Sequence, residues 1–368
     1  MNSSIILILN HDPGKKQGIQ LVTPHRFQQL ILNWFDLHGR KNLPWQENKT
    51  PYRVWISEIM LQQTQVTTVI PYFLRFMQRF PKIELLADAS EDEVLHLWTG
   101  LGYYNRARNL HRTAKTIMTD YHGKFPNELS ALENLPGIGR STAGAISSLA
   151  FEFSAPILDG NVKRVLTRFH GITTWTGNKA TSEQLWQLSE KYTPIKRIAD
   201  YTQAMMDLGA TVCTRTQPNC AICPIKKNCI AYAKDLQTTL PLAKPKKSIP
   251  IQEKTFLVLI HKNKILLEKR PPTGVWAKLW SLPEIQGLAS LTKIKTFCRQ
   301  YSSIQQIKLG SVFRHTFSHF HLDIQPAFIK LDSIPRKFME NDQQIWYNLA
   351  NPQAIGLPQP IKNLIEKI

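Results

Sequence analysis

Between about Phe27 and Ala233, apolar side chains recur every three to four positions, in segments that proline, glycine and asparagine separate. This spacing matches one face of an amphipathic helix, and few stretches show the alternation typical of strands. The sequence therefore predicts an all-helical N-terminal part. Thr50 and Pro51 predict the N-cap and first residue of a helix that runs to about Val69. Prolines at four later positions predict breaks between helices: Pro126, Pro136, Pro156 and Pro194.

The pattern changes after this helical part. Residues 240–250 are rich in proline and lysine and lack periodicity, which predicts an extended linker over the surface. Beyond them, residues 255–260 and 265–268 flank Lys262-Asn263-Lys264 like the strands of a hairpin, and residues 317–330 contain short β-type runs. The second part is therefore predicted to be α+β. The predicted organisation is a loosely ordered extension (1–22), a helical domain (23–233), a linker (234–252) and a second domain (253–368).

Length and charge narrow the classes of protein. A chain of 368 residues exceeds one ordinary core, which agrees with two domains. Its 46 Lys and Arg against 27 Asp and Glu give a net charge of +19, which favours a polyanionic partner, nucleic acid first. Charge that serves only solubility, or attraction to anionic lipid, remains an alternative. No apolar run reaches the ~18 residues of a membrane span. We expect a soluble, cytoplasmic monomer, associated with the nucleoid in a bacterium.

Four of the five cysteines lie close together, with six, two and five residues between them, whereas Cys298 stands alone. Too few cysteines are present for a disulfide scaffold, and a soft metal requires several converging thiolates. The spacing therefore predicts a metal site. By itself it does not separate zinc from an iron–sulfur cluster, because both accept four thiolates. The predicted ligands are Cys213, Cys220, Cys223 and Cys229.

Two carboxylates and one turn are candidates for chemistry. Asp159 precedes a predicted helix, where an aspartate is usually an N-cap and stays ionised. Glu58 lies beside an apolar strip on its helix, which would tend to keep it protonated; a solvated glutamate is the simpler interpretation. Gly137 and Gly139 mark a tight turn between two helices, which is either a plain connection or a hairpin whose amides bind a DNA phosphate.

Two carboxyls can act as a pair in breaking a glycosidic bond. The leaving group needs a proton, and the sugar left behind needs negative charge near its oxocarbenium ion. Two carboxyls in unlike environments can divide these tasks, as they do in O-glycoside hydrolysis. Glu58 would then be the acid and Asp159 the stabilising anion.

Several motifs resemble one family. They are residues 43–45 (Leu-Pro-Trp), 57–66 (Ser-Glu-Ile-Met-Leu-Gln-Gln-Thr-Gln-Val), 100–109, 135–141, 158–162 and the cysteine loop 213–229. Together they are similar to the MutY family of adenine DNA glycosylases, within the endonuclease III superfamily of helix-hairpin-helix glycosylases. The resemblance, not the spacing, implies a [4Fe-4S] cluster. It also implies double-stranded DNA as partner, excision of adenine opposite 8-oxoguanine or guanine, and a Nudix-like second domain.

The resemblance assigns further roles by position. Gln63 and Tyr103 match residues inserted into the duplex, and Trp45, Leu61 and Gln62 match the region around the extruded base; core packing is the alternative for Tyr103 and Leu61. Phe317, Ser318 and His319 match a loop that contacts 8-oxoguanine. The remaining DNA contacts implied are Gly137, Gly139, Ser141 and Asn161. On one segment, Arg106, Arg108, His111, Arg112 and Lys115 are candidates for phosphate contacts or a solvated basic face.

Position 141 separates two reactions. Bifunctional relatives resembling endonuclease III carry a lysine there that attacks the sugar, and Ser141 cannot form a Schiff base. Some family members have tyrosine at this position, so no help from a phenol carries over. The second domain lacks the glutamate-rich box that binds magnesium in Nudix hydrolases, which predicts recognition rather than hydrolysis. His315, His319 and His321 fit a shared strand face better than a metal site.

Three other classes remain as alternatives. The first is an endonuclease III-like glycosylase and lyase for damaged pyrimidines, which Ser141 and the long second domain disfavour. The second is a non-catalytic damage-binding protein, which the presence of both Glu58 and Asp159 disfavours. The third is an iron–sulfur electron carrier, which would leave the charge of +19 unexplained.

Overall fold

The computed structural model describes residues 22–244, 248–299, 301, 303–334 and 342–368. The predicted N-terminal extension lies outside the described residues, except for residue 22. The chain forms two compact units. The first contains the described residues up to Lys41 together with Glu152–Lys244, and the second contains Asn42–Phe151 together with the described residues after Lys244. No helix in the described part of the chain is long and apolar enough to cross a membrane.

Helices dominate residues 22–244, as predicted. The first unit contains α1 (Pro24–His38), α9 (Gly160–His170), α10 (Lys179–Tyr192), α11 (Ile198–Asp207), a π-helical turn (Leu208–Val212), 3₁₀ turns (Cys220–Ile222 and Lys226–Asn228) and α12 (Ile230–Ala233). The second contains α2 (Pro51–Leu61), α3 (Val66–Arg79), α4 (Ile83–Asp88), α5 (Glu91–Trp98), α6 (Asn105–Asp120), α7 (Leu129–Glu133) and α8 (Arg140–Ala150). All four prolines predicted to separate helices lie between helices.

The second domain is α+β, as predicted. Its strands are β1 (Ile251–His261), β2 (Lys264–Lys269), β3 (Trp280–Ser281), β4 (Glu284–Gln286), β5 (Ile304–Leu309), β6 (Phe313–Thr316), β7 (His321–Leu331) and β8 (Gln344–Asn348). Its helices are α13 (Leu291–Cys298) and α14 (Gln359–Ile365). The predicted hairpin is β1 and β2, which pair antiparallel with Ile260 opposite Ile265.

The described strands form one mixed sheet. Its main path runs β3-β2-β1-β7-β5, and β1 and β7 are parallel over ten residue pairs. Phe256 on β1 belongs to the core that includes residues of α14, and its neighbour Leu257 belongs to the core that includes residues of α13. Because helices cover both faces, the centre of β1 is a continuous apolar run rather than an alternating one.

The prediction that residues 240–250 form a surface linker is wrong for the first of them, Leu240. Leu240 is 2% exposed, and its carbonyl oxygen accepts a hydrogen bond from Arg168 Nε at 2.8 Å. A buried arginine needs acceptors, and the backbone after α12 supplies one of them. The chain that leaves the helical part is therefore anchored to α9.

Candidate active site

Glu58 lies on α2, where the sequence predicted a carboxyl beside an apolar strip. The helix begins as predicted: the Thr50 side chain accepts a hydrogen bond from the Arg53 amide, and Pro51 occupies the first turn. Seven of its eleven residues are buried, including Trp55 at 0% exposure. The Glu58 side chain is half-buried. One half-buried carboxyl is therefore held on a largely buried helix.

The predicted length of α2 is wrong, because the helix ends at Leu61 rather than near Val69. A single guanidinium, that of Arg106 on α6, replaces the missing helical donors at this end. Its Nη1 atom donates to the carbonyl oxygens of Ile59 (2.8 Å), Met60 (3.0 Å) and Gln62 (2.6 Å). Its Nη2 atom donates to the carbonyl oxygens of Leu101 (3.1 Å) and Gly102 (3.2 Å). Arg106 thus joins the end of α2 to the loop before α6.

The predicted basic face of α6 is only partly exposed. Arg106 is engaged internally, and burial lowers its pKa to about 10. Arg108 donates to a backbone carbonyl of the second domain, and His111 is 4% exposed. Arg112 and Lys115 remain exposed. A fully solvated basic face is therefore wrong for His111, and Arg106 and Arg108 are half-buried against backbone acceptors; phosphate contacts of this segment stay a prediction.

Both predicted wedge residues have left-handed backbones. Gln63 is exposed with φ 57°, and Tyr103 is 52% exposed with φ 48°. Non-glycine residues rarely adopt this conformation, which persists only where the surroundings impose it. The two residues follow the two backbone stretches that Arg106 binds. Core packing, the alternative for Tyr103, is wrong.

The residues matched to the extruded base have unequal exposure. Leu61 and Gln62 are half-buried, and Gln62 Nε2 donates to Thr142 Oγ1 on α8 at 3.3 Å. Trp45 is only 5% exposed and packs edge-on against Phe73, with ring centroids 5.5 Å apart. The structure thus places Trp45 in the core of its unit.

The glycine turn connects α7 to α8. Gly137 has φ 79°, and a Cβ there would lie 2.7 Å from Asn109 Cβ, so this position requires glycine. Gly139 is the N-cap of α8 and provides no side-chain hydrogen bond to the first turn. Ser141 is half-buried in that turn. Backbone amides at a helix start are suited to a phosphate oxygen.

Asp159 is the N-cap of α9, as predicted. Its Oδ1 accepts from the Val162 amide at 2.9 Å, and its Oδ2 accepts from Asn161 Nδ2 at 3.0 Å. Burial raises the pKa of Asp159, against the lowering effects of these hydrogen bonds and of the Arg164 charge. The sequence predicted a carboxylate that stays ionised, whereas burial favours its protonated form, so the anion is formed against a desolvation cost.

Asp159 is connected to the cysteine loop. Asn161 Oδ1 accepts from Arg164 Nη2 at 2.9 Å, and the same guanidinium donates to the carbonyl oxygens of Gly209 and Cys213, each at 2.6 Å. Gly209 belongs to the π-helical turn, and a Cβ there would lie 2.5 Å from Asn161 Cβ. Asn161 and Arg164 therefore connect the Asp159 carboxylate to the backbone of Cys213.

The four predicted ligands line one pocket. Arg168, 2% exposed, donates to the Sγ of Cys213 at 3.3 Å and to three carbonyl oxygens of residues 213–215. Burial raises the pKa of Cys220, Cys229 and Cys223, the last to about 12, so a bound cation would be needed to hold them as thiolates. Within the described residues, no three His, Cys, Asp or Glu side chains are grouped closely enough for a single ion.

The loop matched to the lesion connects β6 to β7. The Phe317 amide donates to the Phe320 carbonyl oxygen at 2.9 Å, and the two rings stack with centroids 4.5 Å apart. Ser318 and His319 are exposed at the tip. His315 packs against the rings of Trp276 and Phe317, whereas His321 pairs with Thr316. His315 lies on β6, His319 in the loop and His321 on β7, so the predicted shared face of a single strand is wrong.

The candidate residues are divided between the two units. Asp159, Asn161 and the four cysteines belong to the first, and Glu58 belongs to the second with all the other candidates. Sequence reasoning missed the roles of Arg106, Arg164 and Arg168. The last two are four residues apart on α9. Arg168 lies among apolar residues of this helix, and that position was the signal in the sequence for a buried arginine.

Comparison with known proteins identifies the family. A family described as "HhH-GPD superfamily base excision DNA repair protein" matches residues 56–191, and one described as "NUDIX domain" matches residues 255–367. An adenine DNA glycosylase of Buchnera aphidicola (Acyrthosiphon pisum) is 46% identical to this chain, over 94% of this chain's length and 98% of its own length. The chain belongs to the adenine DNA glycosylase family. The resemblance noted from the motifs is confirmed.

Two more distant comparisons agree with this adenine DNA glycosylase family assignment. The mouse adenine DNA glycosylase is 34% identical over 84% of this chain and 71% of its own. The structure of a thermostable thymine-DNA glycosylase superposes with a TM-score of 0.52 and 29% identity, covering 57% of this chain and 97% of that one. Together with the family matches at residues 56–191 and 255–367, these comparisons confirm the helix-hairpin-helix fold and the Nudix-like second domain.

Proposed function

We propose that this protein flips adenine out of a mispair with 8-oxoguanine or guanine and hydrolyses its N-glycosidic bond. The observation that carries the proposal is Asp159: a carboxylate held at the start of α9 by Val162 and Asn161, in a chain of the adenine DNA glycosylase family. Such a fixed anion suits an oxocarbenium ion, because it requires no reorganisation when the charge develops.

The reaction divides between two carboxyls. Glu58 gives its proton to the departing base as the N-glycosidic bond breaks, and the bonding electron pair leaves with the base. Asp159 stabilises the cation left on the sugar. Water then adds to the anomeric carbon, and the proton it loses restores the acid. The product is an abasic site in an intact strand, because Ser141 has no amine with which to form a Schiff base.

DNA recognition uses three features of the second unit. The amides at the start of α8, after Gly137 and Gly139, bind a backbone phosphate. Gln63 and Tyr103 enter the duplex and fill the space of the flipped base, and a mispair lowers the cost of flipping. The exposed loop tip, Ser318 and His319, reads 8-oxoguanine on the opposite strand.

The four cysteines hold a [4Fe-4S] cluster in this proposal. The proposal is supported by four cysteines that line one pocket in a chain of the adenine DNA glycosylase family; four thiolates are the ligand set that such a cluster requires. Arg164 and Arg168 provide positive charge next to the pocket. When bound, the cluster supplies a rigid cross-link of the loop; Arg164 and Asn161 then hold Asp159 relative to that loop.

The proposed reaction is tested with matched duplexes. Purified protein is incubated with adenine opposite 8-oxoguanine, with adenine opposite guanine, and with an oxidised pyrimidine opposite guanine. We expect alkali-dependent strand cleavage at adenine only, in both mispairs. Cleavage without alkali, or at the pyrimidine alone, would instead support the endonuclease III-like lyase. Tight binding of the mispair without any excision would support a damage-binding protein.

The proposed cofactor is tested by metal analysis of the protein as isolated. We expect about four iron and four sulfide per chain, from the composition of the cluster, together with visible absorption. Cys223→Ser should lower the iron content and the yield of folded protein, whereas Cys298→Ser, on α13 in the second domain, should leave the iron unchanged. One zinc per chain and no iron would contradict the proposal.

A further inference from the structure

The second domain touches the helices through a short docking segment, residues 355–358, which precedes α14. Tyr104 Oη donates to the Leu357 carbonyl oxygen at 2.8 Å, and the Leu357 amide donates to Thr99 Oγ1 at 3.4 Å. Tyr104, Leu357 and Thr99 are each no more than 9% exposed. Thr99 and Tyr104 are the two ends of the tyrosine loop, residues 99–104, which carries Tyr103. The docking segment thus binds this loop at both ends.

The docking segment fits closely against α5. A Cβ on Gly356 would lie 2.5 Å from Leu95 Cβ, so glycine permits the approach. On its other side, the Gly356 carbonyl oxygen accepts from the Trp280 amide of β3 at 2.9 Å. The segment is therefore a bridge between the sheet of the second domain and the tyrosine loop.

Further contacts hold the other end of α5. Asp92 accepts from Lys269 Nζ at 3.0 Å and from Trp280 Nε1 at 3.1 Å, and Glu91 accepts from Lys278 Nζ at 3.0 Å. The ion pairs are partly exposed and individually weak, but they fix the direction of α5. Both ends of the helix that leads into the tyrosine loop thus contact the second domain.

Tyr103 needs such support. Its φ of 48° is unfavourable for a tyrosine, and its exposed ring is not fixed by core packing. Arg106 binds the loop carbonyls from within the helical part, at Leu101 and Gly102. The docking segment binds the loop ends. The helical part also binds the carbonyl oxygens of Gly102 and Thr99, through Trp98 Nε1 at 3.1 Å and Tyr72 Oη at 3.0 Å. Without the segment, the hydrogen bonds to Tyr104 Oη and Thr99 Oγ1 would be lost.

We propose that the second domain positions the wedge Tyr103 through the docking segment, with Tyr104 and Thr99 as the positioning residues. The domain would then take part in base flipping as well as in reading the opposite strand. This inference rests on the proposed function in one respect, namely that Tyr103 enters the duplex. It deepens that function by coupling lesion reading to flipping through a defined contact.

The test is Tyr104→Phe, which removes one hydroxyl and leaves the ring. Tyr52→Phe is the matched control, because Tyr52 Oη donates to the Phe80 carbonyl oxygen at 2.7 Å in the same unit, away from the tyrosine loop. We expect Tyr104→Phe to lower single-turnover excision about threefold to tenfold, the factor of one net hydrogen bond, with little change in duplex affinity. It should also reduce the fluorescence rise of 2-aminopurine placed next to the target adenine. Tyr52→Phe should change neither.

A double-variant cycle separates positioning from general destabilisation. If Tyr104 acts through the wedge, its substitution should have no further effect in a Tyr103→Ala background. Gly356→Ala, which displaces the segment, should behave in the same way. Additive effects of Tyr104→Phe and Tyr103→Ala, or equal effects of Tyr104→Phe and Tyr52→Phe, would overturn the inference. The fluorescence cycle needs no cleavage, so it remains decisive even if the wild-type protein fails to excise adenine, which would overturn the proposed function alone.

Discussion

Replacing Asp159 with asparagine should lower adenine excision by a factor of about 10²–10³, the range observed when one charge-stabilising group is removed from a transition state. Asparagine caps helices as well as aspartate does and can still accept from the Val162 amide, so the local fold should persist. The substitution removes the negative charge and the hydrogen bond that Oδ2 accepts from Asn161 Nδ2, because an amide nitrogen cannot accept it. Single-turnover excision and duplex affinity are measured together, and affinity should stay near the wild-type value.

The same substitution should increase stability at neutral pH. Burial raises the pKa of Asp159 above its ordinary value of 3.8, so the folded protein binds this proton more tightly than the unfolded chain does. That contribution to stability is complete below the unfolded pKa and is lost as the pH rises through the raised folded pKa. At pH 7 the buried anion therefore lowers the free energy of unfolding, and a neutral asparagine avoids this destabilisation. On acidification, wild-type excision should begin to fall at a higher pH than it would if Asp159 had the pKa of an ordinary aspartate.

Asp207→Asn is the control, with the opposite expected result: lower stability and unchanged activity. This carboxylate is fully buried in the same unit and accepts from the Arg40 amide, the Arg40 guanidinium and Gln203. Its loss should lower the free energy of unfolding by about 1.5–3 kcal/mol while the excision rate per folded molecule is retained. If Asp159→Asn instead lowered stability and kept its activity, Asp159 would be a structural cap and nothing more.

Local signals gave the correct elements where the cause lies in neighbouring residues. The start of α2 follows from Thr50 and Pro51, and the β1–β2 hairpin follows from the run on either side of Lys262 and Asn263. In both cases the deciding hydrogen bonds join residues close in the chain. The C-terminal end of α2 failed for the opposite reason, because its last carbonyls are bound by Arg106, which is more than forty residues away.

Charged side chains were the least predictable part. From the sequence, five basic or titratable positions on α6 formed one face, yet three of them are directed into the protein. Nothing in the sequence distinguishes Arg164 from a solvated arginine, and only its place among apolar residues marks Arg168; both donate to backbone oxygens of the cysteine loop. A helical period reports where apolar residues lie, but it carries no information on which distant carbonyls a guanidinium will meet. The carboxyls were predictable as candidates, since their motifs are local, but their surroundings were not.

Replacing Glu58 with glutamine should lower excision by about 10²–10⁴-fold, the usual contribution of a general acid. Glutamine matches the shape of the half-buried side chain on α2 but cannot give up a proton, so the departing base would leave as an anion. Duplex affinity and the unfolding midpoint should change little. Glu47→Gln, in the exposed turn before α2, is the matched control and should excise at the wild-type rate.

Two further measurements bear on the role of Glu58 as the acid. Wild-type excision should fall as the pH rises, because only the protonated carboxyl donates, and this fall should be absent in Glu58→Gln. The double variant with Asp159→Asn should lose much less than the product of the two single losses, since both groups act on one transition state. A Glu58→Gln protein with the wild-type rate and the wild-type pH profile would mean that another group protonates the base, and that α2 presents its carboxyl for a different purpose.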